Sequence, residues 1–379
     1  MNKRPESIQE ARRQLENKFT SSHRLKLIFG DCRIDCLTNS EKLKQDLAHY
    51  FKPFISNVSN NKPHITIHSF EGDIPNWDLD LTVKQPDPGK TKIKEEFVDL
   101  PDGRLVRKRL TGMLFLFGKG NNIAIGPCIQ NSNQVINFIN NRFMEWKLNQ
   151  DYFLAHAAGV VWQGAGISMA GFSGMGKSTL ALHLMSRGAK FVSNDRLLFK
   201  KEDSAINMIG VAKLPRINPG TALNNPDLQG VMPKEDCEKF RELTGAELWN
   251  LEHKYDVYID ECFGPDKFVL AAPMNLIVML NWDHSNKNLK TNFVDFADRR
   301  DLLGAFMKSP GLFYEPEEIV VQDNLSDESY VSELSGFPIL EISGSVDFDE
   351  AADAISNIIN SKDGNKNINQ NSISALNVN

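Results

Sequence analysis

The stretch between residues 171 and 178 has the composition and spacing of a phosphate-binding loop. It reads Gly171-Phe-Ser-Gly-Met-Gly-Lys-Ser178 and matches the pattern G-x-x-x-x-G-K-[ST]. In such a loop, backbone N–H groups and the positive end of the following helix converge on a phosphate chain. The residues expected to bind a nucleoside triphosphate are Gly171, Phe172, Ser173, Gly174, Met175, Gly176, Lys177, Ser178 and Thr179.

Two side chains of this loop have distinct expected roles. Lys177 would neutralise the β- and γ-phosphates, and the hydroxyl of Ser178 would ligate Mg²⁺. We therefore expect ATP and Mg²⁺ as ligands, although a loop that contacts only the phosphates does not distinguish ATP from GTP.

Asp195 is the candidate acid of the site. It ends a short predicted strand within 189–196, which follows the predicted P-loop helix. A βαβ crossover would make this strand parallel to the P-loop strand and adjacent to it or nearly so, with both carboxyl ends at one edge. There Asp195 could hold Mg²⁺ or take a proton from an attacking hydroxyl. The alternative is a pair with Arg196 or a turn cap.

His156 precedes the loop on a predicted hairpin. Residues 154–162 form one strand, 163–166 form the turn, and the P-loop strand follows, which places His156 opposite residues near Ser173. His156 could contact phosphate, or change its charge with pH and so tune activity. The alternative is an ordinary strand histidine bonded to backbone.

Lys213 and Arg216 are candidate substrate-binding residues. They lie in the Pro- and Gly-bounded segment 209–220, where they could neutralise transition-state charge or grip a phosphoacceptor. They could equally be solvated charges. The whole stretch 213–234 is predicted to form open surface loops.

The elements that would position these residues fall into four segments. We expect an N-terminal helix in 1–20, an α/β domain in 21–150, an α/β P-loop domain in 151–360 and a disordered tail in 361–379. The helix in the first segment is either a partner-docking helix or a frayed one. The tail is rich in Asn and poor in apolar residues.

Composition excludes several classes of function. The net charge of −6 argues against a nucleic-acid binder dominated by phosphate contacts, and no apolar run is long enough to span a membrane. The scattered cysteines do not have zinc-ligand spacing. We expect a cytoplasmic protein with neither nucleic-acid nor membrane partners, and homo-oligomer formation stays open.

From His156 to Arg196 the chain resembles bacterial HPr kinase/phosphorylase, a family of P-loop protein serine kinases related in fold to phosphoenolpyruvate carboxykinase. That family has a His-Gly stretch, a G-x-S-G-x-G-K-S loop and a strand ending in Asp-Asp-Arg; here Asn194-Asp195-Arg196 stands at the last position. The resemblance implies that Lys177 and Ser178 bind phosphate and Mg²⁺, that Asp195 acts at the metal or as the base, and that His156 lies beside the transferred phosphate.

Two departures from the family keep alternatives open. Asn194 replaces the first aspartate, and the downstream Glu and Arg before a Gly-Leu-Gly run are absent, as in HPr kinase-related proteins. The leading hypothesis is an ATP-dependent kinase, with the catalytic residues Asp195, Lys177 and His156, that acts on a Ser or Thr hydroxyl of a protein. The alternatives are a nucleotide-gated regulatory module and a small-molecule kinase.

Overall fold

The computed structural model describes residues 4–56, 62–86, 91–251, 253–283, 288–315 and 325–361. These residues form two compact units, one of residues up to 149 with 310–315, the other of residues 150–309 with 325–361. Each unit combines helices with sheet, so the chain is a mixed α/β protein. The predicted tail from 362 onwards lies outside the described residues, and the predicted domain boundaries stay predictions.

The first unit is built on a twisted mixed sheet. Its described helices are α1 (Ile8–Lys18), α2 (Glu41–Tyr50) and α3 (Ser132–Leu148). Its described strands are β1 (His23–Phe29), β2 (Cys32–Thr38), β3 (Ile65–Glu71), β4 (Thr82–Val83), β5 (Glu95–Leu100), β6 (Gly103–Lys108), β7 (Leu114–Gly118) and β8 (Asn121–Gly126). The strand order is β1-β2-β3-β8-β7-β6-β5-β4, in which β2–β3 and β3–β8 are parallel.

Helix α1 packs on this sheet. The carboxylate of Asp102, in the β5–β6 turn, accepts a hydrogen bond from the Ile8 N–H at 2.6 Å, at the positive end of the helix. The apolar face of α1, with Ile8, Ala11 and Leu15, is buried in one core with Phe70 of β3. The apolar face that suggested a docking helix is therefore covered by the unit itself.

The β5–β6 hairpin was absent from the sequence prediction. Its turn, Pro101-Asp102, is a common turn dipeptide, and Gly103 at φ +151° follows it closely packed against Phe117.

The second unit contains the P-loop. Its described strands are β9 (Phe153–Ala155), β10 (Ala157–Trp162), β11 (Ala165–Gly171), β12 (Lys190–Ser193), β13 (Leu197–Glu202), β14 (Ala205–Gly210), β15 (Arg216–Ile217), β16 (Tyr255–Asp256), β17 (Ala271–Met274), β18 (Leu276–Trp282), β19 (Leu289–Val294) and β20 (Ile339–Gly344). Its described helices are α4 (Lys177–Ser186), α5 (Pro219–Leu223), α6 (Lys234–Arg241), α7 (Gly245–Asn250), α8 (Ile259–Phe263), α9 (Arg300–Phe306), α10 (Asp327–Glu333) and α11 (Phe348–Asn360).

Two sheets form the framework of this unit. One has the order β12-β10-β11-β18-β20-β19, and the other has the order β17-β14-β13-β9. A core between them contains Ala157, Ala170, Phe199, Met279 and Phe306. Strands β10, β11 and β18 all contribute side chains to this core. Strand β11, which leads into the P-loop, is therefore held between two strands that pack into the same core.

The stretch 213–234 is folded, so the prediction of open surface loops there is wrong. It contains β15, α5 and a 3-10 helix over Pro226–Val231, and Ile217, Ala222 and Leu228 are buried. Pro219 and Pro226 stand at the first positions of short helices, where the missing N–H costs nothing.

Candidate phosphate-binding site

The hairpin of β10 and β11 leads the chain into the loop. Its antiparallel register runs from Ala157–Ala170 to Trp162–Ala165, which confirms the predicted hairpin. The two turn residues, Gln163 (φ 51°) and Gly164 (φ 83°), are both left-handed, as in a type I′ turn. Continued by one residue, the register places His156 opposite Gly171, two residues before the predicted partner Ser173.

Parallel pairing of β11 with β18, and of β18 with β20, brings three carboxyl ends to one edge of the sheet. Gly171, the last residue of β11, pairs with Leu280. A Cβ at position 171 would lie 2.7 Å from the Leu280 carbonyl oxygen, so this approach admits only glycine.

The loop itself has the backbone shape that phosphate binding needs. Gly174 (φ 88°) and Gly176 (φ 79°) are left-handed, and Gly176 caps the start of α4. The ammonium of Lys177 bends back and donates to the carbonyl oxygens of Gly171 at 2.6 Å and Phe172 at 3.4 Å. The loop N–H groups and the Lys177 side chain therefore surround the same small volume.

Two aromatic residues from distant elements support the loop. The indole N–H of Trp282, at the end of β18, donates to the Met175 carbonyl oxygen at 2.6 Å. Phe348, the first residue of α11, packs edge-on against Trp282, and a Cβ at Gly176 would lie 2.8 Å from its ring. Sequence analysis identified neither aromatic residue, because no local pattern marks them.

Helix α4 begins at Lys177 and ends at Ser186. Leu180 and Leu184 face the core, and Gly188 (φ 97°) ends the helix. The N–H of Gly188 donates to the Met185 carbonyl oxygen and that of Ala189 to Leu184, which is a glycine-terminated helix end. The macrodipole of α4 thus points its positive end at the loop.

A cavity of about 580 Å³ opens beside the loop. Its walls are the loop residues 174–179, the β15 region and the aromatic pair just described, with Thr221, Lys254 and Val346. The carboxamide oxygen of Asn218, also in this wall, is buried and has no hydrogen-bond partner within the described residues. Ser178 and Thr179 line the cavity, so its polar end coincides with the P-loop.

Asp195 lies two residues beyond β12. Strand β12 is antiparallel to β10, and β10 separates it from β11. Strand β12 therefore runs parallel to β11 and is the second strand from it, which confirms the predicted placement.

Asp195 lies among cations. Burial alone would raise the pKa of Asp195, but the neighbouring positive charges outweigh burial and hold the pKa below its ordinary value. In decreasing order of effect, these cations are Lys213, Arg196 and Lys308. Lys177 also interacts electrostatically with Asp195. The carboxylate is therefore ionised at neutral pH, as a general base must be.

His156 is neutral at physiological pH. Burial, together with the positive charges of Lys308 and Lys177, lowers its pKa from 6.5 to about 4, and Asp195 opposes this only in part. A change of charge at His156 is therefore expected below neutral pH, and its role in tuning activity stays a prediction. Its proximity to Lys177 and Asp195 nevertheless places it at the same edge of the site.

Lys308 is a site residue that sequence analysis missed. It interacts electrostatically with His156, Lys177 and Asp195, although it lies far from all three in sequence. The segment KSPG around it carries no recognisable pattern. An isolated backbone bridge between Ala155 and Met307 holds its segment beside the strand that leads to His156.

Lys213 and Arg216 occupy different parts of the site. Burial lowers the pKa of Lys213, and Asp195 opposes this shift, so Lys213 belongs to the cluster around Asp195. Arg216 is exposed, lines the cavity and pairs with Asp256 at 3.3 Å. Lys213 also interacts electrostatically with Arg216 and Asp256, and the role of the two residues in substrate binding stays a prediction.

The described residues contain no group of three or more His, Cys, Asp or Glu side chains that could hold a metal ion. Mg²⁺ bound with a nucleotide takes most of its ligands from phosphate and water and only one or two from protein. Ser178 on the cavity wall and the ionised Asp195 fit that limited role.

Comparison with known proteins adds little to this geometry. No family model and no curated protein matches the chain. A solved structure of the Hpr(Ser) kinase/phosphatase from Coxiella burnetii aligns with a TM-score of 0.27 and 14% identity, and the alignment covers 53% of this chain and 91% of that one. At this score the likeness carries no weight for function. Among the described helices, none combines the length and apolar character needed to cross a lipid bilayer.

Proposed function

We propose that this chain binds ATP with Mg²⁺ and transfers the γ-phosphate to a hydroxyl group. The observation that carries the proposal is the loop geometry: left-handed Gly174 and Gly176, with Lys177 folded over the loop at the start of α4. A phosphate placed there would receive backbone N–H donors, the helix dipole and an ammonium group together.

The charge balance around the loop supports an anionic ligand. The four cations Lys177, Arg196, Lys213 and Lys308 interact with one carboxylate, Asp195. Burial lowers the pKa of both Lys177 and Lys213, so their charged forms lack part of the stabilisation that water would give them. Cations held this close repel one another, and a polyphosphate would relieve the repulsion.

In the proposed reaction the acceptor oxygen forms a bond to the γ-phosphorus, and the bond from that phosphorus to the β,γ-bridging oxygen breaks. The bridging electron pair leaves with ADP, and the acceptor proton passes to the Asp195 carboxylate. Lys177 stabilises the charge that develops on the phosphate oxygens. Neutral His156 can donate one hydrogen bond beside them. Mg²⁺, held through Ser178, would supply further charge neutralisation when bound.

The cavity beside the loop is the proposed site of the ribose and base. Its volume of about 580 Å³ lies within the range of small-molecule sites. Its aromatic wall of Trp282 and Phe348 offers apolar surface, and the unpaired oxygen of Asn218 offers an acceptor. ATP is the donor we propose, as the motif resemblance implies; the exocyclic amino group that adenine and guanine both carry could donate to this oxygen.

The proposed acceptor is a Ser or Thr hydroxyl of a protein, as the motif resemblance implies. The argument from open loops at 213–234 no longer supports this acceptor, because that stretch is folded. The remaining support is the first unit, which offers an additional surface for docking a polypeptide.

Labelled phosphate transfer tests the proposal directly. Wild-type protein is incubated with γ-labelled ATP, Mg²⁺ and lysate of its own organism, and polypeptides are separated from metabolites. We expect label in a polypeptide, none with Lys177→Ala or Asp195→Asn, and undiminished label with Lys201→Ala, a control at an exposed lysine of the same unit. Label found only in small molecules would refute the protein acceptor.

A nucleotide-gated module is the second candidate function. Asn194 stands beside Asp195 where the resembling family has a second carboxylate, and its side-chain oxygen is buried without a partner among the described residues. One carboxylate among several cations favours tight anion binding over proton transfer. ATP binding by calorimetry without any labelled product would select this function.

A further inference from the structure

Asn218 stands between β15 and α5, in the wall of the cavity beside the phosphate loop. Its neighbours fix its backbone, because Ile217 is buried and pairs with Tyr255, and Pro219 is buried at the first position of α5. The Asn218 carbonyl oxygen accepts from the Thr221 N–H at 3.0 Å. The fold itself therefore sets the position of this residue.

The side chain of Asn218 departs from the usual role of its position. Asn218 is the N-cap residue of α5, where an asparagine side chain ordinarily accepts a hydrogen bond from a backbone N–H of the first turn. In the part of the chain that the structure describes, its side chain makes no cap bond, and its oxygen is buried without a partner. A buried acceptor without a partner destabilises the fold unless a ligand supplies a donor.

The rest of the cavity suits a nucleoside. Residues 174–179 line one part of its wall, and Val346 and Phe348 add apolar surface to it. The volume of about 580 Å³ leaves room for a ribose and a base once the phosphates lie on the loop. A base in this cavity would share it with the Asn218 carboxamide.

We propose that Asn218 reads the base and selects adenine over guanine, an inference that rests on the proposed nucleotide binding. A carboxamide offers an acceptor and a donor side by side, and adenine offers an amino donor beside its N7 acceptor. The last torsion of an asparagine side chain is broad, so the carboxamide can turn to meet the base. Guanine has the acceptor O6 where adenine has its amino group, and it leaves the Asn218 oxygen unpaired.

Removing the amino group from the ligand and the carboxamide from the protein tests this contact from both sides. Calorimetry of the full chain with Mg²⁺ compares ADP with purine riboside diphosphate, which lacks only the amino group. Wild type should bind the second ligand about 10-fold more weakly. Asn218→Ala should bind both with affinities within about twofold of each other, because it has no oxygen to accept from the amino group. Asn224→Ala, at an exposed asparagine at the end of α5, is the matched control and should discriminate like wild type.

A second variant changes the recognition chemistry of position 218. An aspartate carboxylate only accepts, and guanine carries two neighbouring donors, its N1–H and its N2 amino group. Asn218→Asp should therefore shift the ratio of GDP to ADP affinity about 10-fold towards GDP. Repulsion between the new carboxylate and the phosphates cancels in this ratio.

Several outcomes refute the inference while nucleotide binding stands. They are wild-type protein that binds ADP and purine riboside diphosphate equally, or GDP as tightly as ADP, and discrimination that persists in Asn218→Ala. Since the side chain makes no cap bond, the melting temperature of Asn218→Ala should stay near that of wild type. If that variant unfolds, an unchanged GDP-to-ADP ratio in Asn218→Asp is the refuting result. If wild-type protein binds no nucleotide, the proposed function fails together with this inference.

Discussion

The depressed pKa of His156 predicts a specific dependence of stability on pH. The pKa is 6.5 in the unfolded chain and about 4 in the fold, where burial and the charges of Lys308 and Lys177 oppose protonation. The unfolded chain therefore binds a proton between these values and the folded chain does not. Stability is retained above pH 6.5 and is lost as the pH falls towards 4.

The magnitude follows from proton linkage. Between pH 7.5 and pH 5.0, the unequal protonation of His156 lowers the free energy of unfolding by about 2 kcal/mol. Replacement with glutamine removes the titrating group and this contribution with it. His156→Gln should therefore lose about 2 kcal/mol less than wild type across this interval.

Urea unfolding at the two pH values, followed by tryptophan fluorescence, measures this difference. His253→Gln, at an exposed histidine of the same unit, is the control and should follow wild type. Equal pH dependence in wild type and His156→Gln would refute the reasoning. An NMR titration of the His156 ring that gave a pKa near 6.5 would refute it independently.

Three further substitutions test the phosphate site. Gly176→Ala should lower both the melting temperature and the MgATP affinity, because a left-handed φ costs an L-residue about 1–2 kcal/mol and the new Cβ meets Phe348. A variant with the melting temperature and MgATP affinity of wild type would contradict this. Trp282→Phe removes the donor to the Met175 carbonyl and should weaken MgATP binding by about 1 kcal/mol in calorimetry, with the fold retained. Asp195→Asn should reduce kcat by about 100-fold or more and change nucleotide affinity only a few-fold, and a fully active variant would exclude Asp195 as the base.

The parts of the site that short-range chemistry determines were predictable from the sequence. The P-loop, its flanking strand and helix, and the end of the helix at Gly188 all depend on residues close together in the chain. The β10–β11 hairpin was predictable for the same reason, since a two-residue turn with Gly164 fixes its register.

The parts that depend on distant pairing were not predictable. Lys308 enters the site through a bridge between Ala155 and Met307, and no local signal announces such a bridge. The same holds for Trp282 and Phe348, whose places follow from the order of β11, β18 and β20. Period-2 patterns indicate that strands exist but do not determine which strands are neighbours.

One error had a recognisable local cause. The prolines and glycines of 213–234 were interpreted as loop markers, although Pro219 and Pro226 begin short helices. Asn225 supports this assignment, because its side chain accepts a hydrogen bond from the Asp227 N–H and so caps the short helix that begins at Pro226. Proline preceded by asparagine indicates a helix start as well as a turn.

The position of β20 and Phe348 late in the chain affects how the protein is made. The loop at 171–178 emerges from the ribosome well before β20, which pairs in parallel with β18, and before Phe348, whose ring lies beside Gly176. At ordinary rates of synthesis the interval is on the order of ten seconds or more. During that time the loop lacks one wall, so nascent or prematurely terminated chains that stop before Phe348 should not capture nucleotide. Nucleotide binding would therefore mark chains whose synthesis has passed this point.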